Sequence, residues 1–402
     1  MNLYLSRRSL GFMLFKIMTL FVFLNSICPW LTWSIDFRIF WVISTLLFTI
    51  FYLRHQHYFV HITKRKLMPL FLFLLIIWIQ RGTFMAFLFG IGLWWCVLVI
   101  LLLKREYQII LIHFITKWTS LIVGVSLLFY FLHLLGIPLP YTNISYSESL
   151  SYSEPFQNYF FFIKLSNSYR FQSIFLEPGH LTLVLAPLLF LHGYNIRNKY
   201  VVVLLVAQIF TFSLAGYITL FFGIIWNTFF NNSANKKSKH FLFVSVVIIV
   251  CIIVLNILFS ENIFKILILD RLQVHNGQIL GYNRTNELFD VIYDNFLKSN
   301  RLLYGEPTKM EDLFLGHGVA GYKVFILNYG VIGFVLGLLC YIYPIVLSKN
   351  KKTSIGFTAL LLLLLSQNAY PLWWVFLIFL IVGACYFESD QLYNKRLYEN
   401  II

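Results

Sequence analysis

Charged side chains are scarce in this chain. Asp, Glu, Lys and Arg make up 12% of its 402 residues, against about 25% in ordinary soluble domains. So few charges cannot cover a globular surface of this size, and a single soluble core usually stops growing near about 250–300 residues. Cysteine is sparse as well. Cys28, Cys96, Cys251, Cys340 and Cys385 all lie in apolar runs, without a CxxC or a Cys/His cluster. That excludes a disulfide framework and a zinc site, and leaves the thiols as small buried hydrophobes. Acidic residues are the rarer charges, 16 against 31 Lys and Arg, for a formal net charge of +15. In a soluble protein that imbalance would suggest nucleic acid; here it becomes a question of membrane topology.

What is present is apolar: 59% hydrophobic residues, 19% aromatic, and a mean hydropathy of +0.78. A helix needs about 20 apolar residues to cross the hydrocarbon layer. Suitable runs fall near 10–31, 37–53, 67–80, 84–103, 118–135, 177–195, 199–213, 216–231, 241–259, 320–347, 355–370 and 371–387. The expected fold is an all-α, polytopic transmembrane helix bundle of about twelve spans, forming one integral membrane domain over residues 1–402. Arg7-Arg8 ahead of the first run resembles a signal peptide, but the run is too long and lacks a small-residue cleavage site. It reads as an uncleaved span. Residues 199–231 as one helix would be about 46 Å long. It would also put Lys236, Lys237 and Lys239 on the wrong side, so the stretch is expected to turn back at Ser213-Leu214-Ala215-Gly216.

With both termini inside, the inner loops collect Arg7, Arg8, Arg54, Lys64, Arg65, Lys66, Lys104, Arg105, Lys117, Arg197, Lys199, the 236–239 lysines, Lys349, Lys351, Lys352, Lys395 and Arg396. The short outer turns carry Arg38 and Arg81 only. This is the positive-inside pattern. The basic excess faces anionic lipid heads, implies no nucleic-acid partner, and leaves the outer surface close to neutral.

Two outer segments are too long to be turns, about 136–176 and about 260–319. The first carries a near-repeat, Ser145-Tyr146-Ser147-Glu148 and Ser151-Tyr152-Ser153-Glu154, and reads as a mobile polar loop, with tyrosines offered to a sugar as a second reading. The second has a helical period at Leu288, Phe289, Ile292, Tyr293 and Phe296, expected to form an amphipathic interfacial helix. Long extramembrane loops in a loop-poor protein are where function concentrates.

The first outer segment closes on Arg170-Phe-Gln-Ser-Ile-Phe-Leu-Glu177-Pro178-Gly179-His180. Pro178 marks a helix start and places Glu177 near its N-cap, where the helix dipole favours an anion. An arginine and a capping glutamate at an interface is the bland reading. A cation and a carboxylate presented together at the outer mouth of the bundle is the functional one.

An arginine, a small residue, Phe and Glu-Pro ahead of an apolar helix resembles the signature of the O-antigen polymerase (Wzy-type) and O-antigen ligase superfamily. The hairpin turning at Ser213 is similar to that family's paired helices. Arg284-Thr-Asn-Glu-Leu-Phe with Gly305 downstream resembles its second-loop arginine region. Gly316-His317-Gly318, followed by Ile326-Leu-Asn-Tyr-Gly330-Val-Ile-Gly333, resembles its exit from that loop. His317 lies further upstream of Gly330 than in the ligase branch, which favours the polymerase branch.

The resemblance implies a GT-C-like bundle in the bacterial inner membrane, with both termini cytoplasmic. It implies transfer of a growing glycan from undecaprenyl diphosphate to the next lipid-linked repeat unit at the periplasmic face. Its partners are the lipid-linked oligosaccharide, membrane lipid and a polysaccharide chain-length regulator. Arg170 and Arg284 are the expected diphosphate-holding pair, because arginine binds phosphate oxygens as a fork and stays charged. Glu177 is the first candidate for general base, with His180 and His317 next. Arg271 and Arg301 compete with Arg284, and Tyr322 joins the substrate-binding set. No cofactor or metal is expected, since the outer loops hold no Asp-x-Asp; Glu388-Ser-Asp390 lies in the inner tail. The alternatives are an O-antigen ligase, transferring glycan to lipid A-core, and a lipid-linked oligosaccharide flippase. A transporter places ionisable groups within the bilayer, and here only Lys16, His113, His133 and His192 stand in mid-span positions.

Overall fold

The computed structural model describes residues 2–34, 37–60, 84–146, 155–166, 168–231, 274–275, 278–279, 287–306, 321–347, 350–367 and 379. The chain is mostly helical. It runs through α1 (Asn2–Asn25), α2 (Phe37–Arg54), α3 (Phe84–Leu102) and α4 (Arg105–Leu134), and then three short strands, β1 (Thr142–Ile144), β2 (Phe156–Asn158) and β3 (Ile163–Leu165). Helices α5 (Pro178–Leu191), α6 (Lys199–Phe210) and α7 (Leu214–Trp226) follow. A two-residue hairpin, β4 (Val274–His275) and β5 (Gln278–Ile279), precedes α8 (Glu287–Leu297), α9 (Gly321–Leu347) and α10 (Lys351–Gln367). The expected spans at 67–80, 241–259 and, except for Phe379, 371–387 lie outside the described residues.

Helix α5 is the pillar of the bundle. It is apolar all round and every residue from Leu181 to Leu191 is buried, which is how a helix without a polar face must sit. It packs against α6, α7 and α10, while α4 lies against α6 and α1. Among the described residues two stretches, Arg105–Leu134 and Tyr322–Ile342, are long and apolar enough to cross a membrane. The outward faces are apolar too: Leu10, Leu14 and Phe21 on α1, Ile39, Leu46 and Leu53 on α2, and Leu121 and Leu128 on α4 are all exposed.

Helix α4 begins well before the run expected at 118. Lys104, Arg105, Glu106 and Lys117 lower the hydropathy of its first turns, yet Gln108, Ile109, Leu111, Ile112 and Ile115 there are buried at helical spacing. The hairpin at 199–231 turns as expected. Helix α6 ends at Phe210 and Ser213 caps α7, its hydroxyl accepting from the Gly216 N–H.

The segment at about 136–176 adds short strands to the helical chain that was expected. Strands β1, β2 and β3 form an antiparallel sheet in that order, with Asn143 opposite Gln157 and Gln157 opposite Lys164. Where a mobile polar loop was expected, the flanks of the near-repeat are therefore paired; residues 147–154 themselves lie outside the described residues. One sheet face, with Ile144, Phe156, Ile163 and Leu165, packs on Trp30, Trp33 and Leu176. The linker after α1 is tied to the same region, the Trp30 N–H donating to the Ile174 carbonyl at 2.9 Å.

In the segment at about 260–319, α8 forms where the period predicted it. Its apolar face, Phe289, Tyr293 and Phe296, is covered by Val324 and Leu327 of α9. Helix α9 thus buries the face that was expected to meet the membrane interface.

Candidate functional site

The segment from 168 to 182 is held from two sides. From α4, the Tyr130 hydroxyl donates to the Tyr169 carbonyl. One turn earlier, the Ser126 hydroxyl donates to the Phe161 carbonyl at 2.6 Å and accepts from the Ser173 hydroxyl at 2.8 Å. Ser173 is fully buried and has a φ of +55°, a conformation costly for a side-chain-bearing residue and kept only where its surroundings fix it. From the hairpin, the Phe210 carbonyl accepts from the Phe171 N–H at 3.0 Å. The Thr211 carbonyl accepts from Arg170 Nε at 3.4 Å.

Arg170 and the Ser213 turn, separate motifs in the sequence, are therefore neighbours in space. That contact uses one of the five N–H donors of the guanidinium.

Glu177 occupies the N-cap position of α5 with extended backbone, and its side chain makes no capping hydrogen bond. The capping reading is thus not what the carboxylate does; Oε2 lies over Gly179, 3.8 Å from where a Cβ on that residue would sit. His180 stands in the first turn of α5, half-buried.

Beneath them is a buried polar knot. Thr182 of α5, Gln208 of α6 and Thr211 converge on Gly216 of α7, where a Cβ would come within 2.9 Å of Gln208 Nε2, 3.1 Å of Thr182 Oγ1 and 3.2 Å of Thr211 Oγ1. Gln208 Nε2 donates to the Gly216 carbonyl at 3.0 Å, and the Thr211 hydroxyl to the Gln208 carbonyl at 2.7 Å. Gln208 Oε1 is buried without a hydrogen-bond partner. A lone acceptor of this kind costs stability unless something donates to it. Of these residues only Gly216 was marked from the sequence, as part of the expected turn; the visible signal for the others was Gln208, an amide within the apolar run Val201–Phe210.

Of the remaining expected site residues, Arg301 and Tyr322 fall elsewhere. Arg284, Arg271 and His317 lie outside the described residues. Arg301 belongs to the turn after α8 and pairs with Glu306. Tyr322 opens α9 and lines a small apolar crevice with Phe325, Phe334 and Leu365. Nearby, Lys323 pairs with Asp290 at 2.8 Å and lies over the Tyr293 ring at 5.3 Å. Burial pushes the Tyr293 phenol up, partly offset by the Lys323 charge.

Of the residues marked as mid-span, His192 bonds the Thr116 hydroxyl at 3.0 Å with His113 beside it, and Lys16 lies over the Phe114 ring. His133 sits in the last turn of α4 and meets Lys164. Among the described residues, no group of three or more His, Cys, Asp or Glu is arranged to hold a metal ion. No family model, curated protein or solved structure matches this chain.

Proposed function

We propose that this chain is a polytopic inner-membrane glycosyltransferase of about twelve spans, an O-antigen polymerase of the Wzy type. It transfers a growing glycan from undecaprenyl diphosphate to the next lipid-linked repeat unit at the periplasmic face. The apolar outward faces of α1, α2 and α4 support the membrane reading, because a water-soluble protein rarely exposes contiguous apolar surface on this scale. The observation that carries the functional reading is the fixing of Arg170 beside the Ser213 hairpin, with Glu177 at the head of α5 diverted from its capping role.

In this reading Arg170 and Arg284 hold the diphosphate of the donor. The acceptor hydroxyl oxygen attacks the anomeric carbon while Glu177 takes the hydroxyl proton. The bond from that carbon to the diphosphate oxygen breaks, its electron pair leaves on the diphosphate, and the arginines stabilise the gathering negative charge. The reaction needs no metal, because guanidinium groups supply the positive field.

The test is polysaccharide made in cells. Arg170→Ala and Arg284→Ala should each abolish long polymer while the protein remains inserted; a normal polymer ladder from both variants overturns the assignment. Deleting the protein separates the alternatives. Single-unit-capped lipopolysaccharide indicates a polymerase, polymer never attached to core a ligase, and a repeat unit trapped facing inward a flippase.

A further inference from the structure

The β1–β3 sheet has a second face. Residues opposite one another across antiparallel strands point to the same side, so Asn143, Gln157 and Lys164 form one polar row across it. The other side is the apolar face already buried on Trp30 and Trp33. The row is framed by rings. The Tyr159 hydroxyl donates to Gln157 Oε1 at 3.0 Å, and its ring stacks on Phe162 with centroids 4.6 Å apart and planes 7° from parallel. Tyr141 and His133 flank Tyr159 at 5.4 and 5.0 Å. Lys164 is the buried end of the row, 8% exposed, with its ammonium 3.2 Å from His133 Nε2. Asn143 and Tyr141 form the open rim, Tyr141 being 52% exposed.

A lysine this buried normally has a carboxylate beside it, since an unpaired charge out of water is costly. Among the described residues the ion pairs are Arg301–Glu306 and Lys323–Asp290, and neither involves Lys164. Burial lowers the Lys164 pKa from its ordinary value, and the neutral imidazole of His133 offsets only part of the cost of holding the ammonium there. An incoming anion would offset it through a charge-assisted hydrogen bond. The rest of the row narrows the ligand. Two amides in line bridge neighbouring hydroxyls, and a tyrosine face accepts the C–H side of a pyranose ring.

We propose that the polar face of this sheet binds an acidic saccharide, with Lys164 taking the carboxylate of a hexuronate, Asn143 and Gln157 its hydroxyls, and Tyr141 its ring face. It rests on the glycosyltransferase reading in that the sugar would belong to the repeat unit, and it names that unit as acidic.

The test is direct binding to the full chain in phosphatidylcholine nanodiscs, followed by saturation-transfer NMR. The probes are a glucuronate-bearing disaccharide and its carboxyl-reduced glucose counterpart. The acidic probe should bind at least tenfold more tightly than the neutral one, and Lys164→Met should remove that difference. Tyr141→Ala, a change on the exposed rim, should weaken both probes. Equal binding of the two probes, no binding of either, or an undiminished preference in Lys164→Met overturns the proposal. So does displacement of the acidic probe by added phosphatidylglycerol, which would make the site one for lipid phosphate. Failure of the polymerase reading shows separately, as a normal polymer ladder from the Arg170 and Arg284 variants.

Discussion

Gly305 and Gly330 lock the turn after α8 into a break in α9. Both have positive φ, +85° and +67°. The Glu306 N–H donates to the Leu327 carbonyl at 2.7 Å, and the Val331 N–H to the Leu302 carbonyl at 2.9 Å. A Cβ on Gly330 would lie 2.2 Å from the Leu303 carbonyl oxygen, and one on Gly305 2.5 Å from the backbone of Asn328. The break in α9 thus exchanges its own hydrogen bonds for those of the turn, and the two glycines permit the backbones to meet.

Alanine at either glycine combines backbone strain with overpacking against main chain, which cannot give way as a side chain would. Each substitution should cost about 2–4 kcal/mol. Scanning fluorimetry of the purified variants in detergent should show a lowered midpoint for both. An unchanged midpoint for Gly330→Ala would mean that the turn does not hold the break.

Gly216 makes a gentler version of the same prediction. Its neighbours are the ends of the Gln208, Thr182 and Thr211 side chains rather than backbone, so alanine displaces the polar knot. We expect a cost of about 1–3 kcal/mol and a shortened polymer ladder, because the carbonyl of Thr211 that receives Arg170 moves with the knot. A full-length ladder from Gly216→Ala would separate the knot from the Arg170 segment.

How much of this was legible beforehand depends on the range of the forces involved. The hairpin at Ser213 could be read because charge placement and bilayer thickness forbid a single long helix. The pairing of Gly305 with Gly330 could not, although both glycines stood in recognised motifs, since nothing local marks two turns as partners. Strands β1–β3 were hidden because each is three residues long and alternates too briefly to show a period. With them went Lys164, whose significance comes from the row it shares with Asn143 and Gln157. The start of α4 was obscured by the charges at its end, which hydropathy averages over and helical spacing does not.

Arg170→Lys tests whether the fork of the guanidinium matters beyond its charge. Lysine keeps the positive field but has neither the planar geometry that binds two phosphate oxygens nor an Nε to donate to the Thr211 carbonyl. Polymer synthesis from a synthetic lipid-linked repeat unit should fall at least about tenfold, with the loss mainly in turnover. Activity near that of the wild type would reduce Arg170 to a point charge.

Lys164 offers a prediction in which stability and function move in opposite directions. Its burial holds the folded-state pKa below the value of an unfolded lysine. Below the folded value both states carry the proton, and the cost of the buried charge is fully present. Between the folded and unfolded values the unfolded chain binds more protons, so stability rises with pH there. Lys164→Met removes the charge, and its melting midpoint at pH 7 should exceed that of the wild type. The gap should narrow as pH climbs toward the ordinary lysine value of 10.5. Among the described residues the titratable group in contact with Lys164 is His133, with Tyr159 and Tyr141 beyond it; because the imidazole responds to the loss of the ammonium, the narrowing is read at alkaline pH, where histidine is neutral in both proteins. A residue kept for packing alone would lower the midpoint when replaced. A stabilised variant that no longer prefers the acidic sugar would mark Lys164 as one retained for binding, at the expense of the fold.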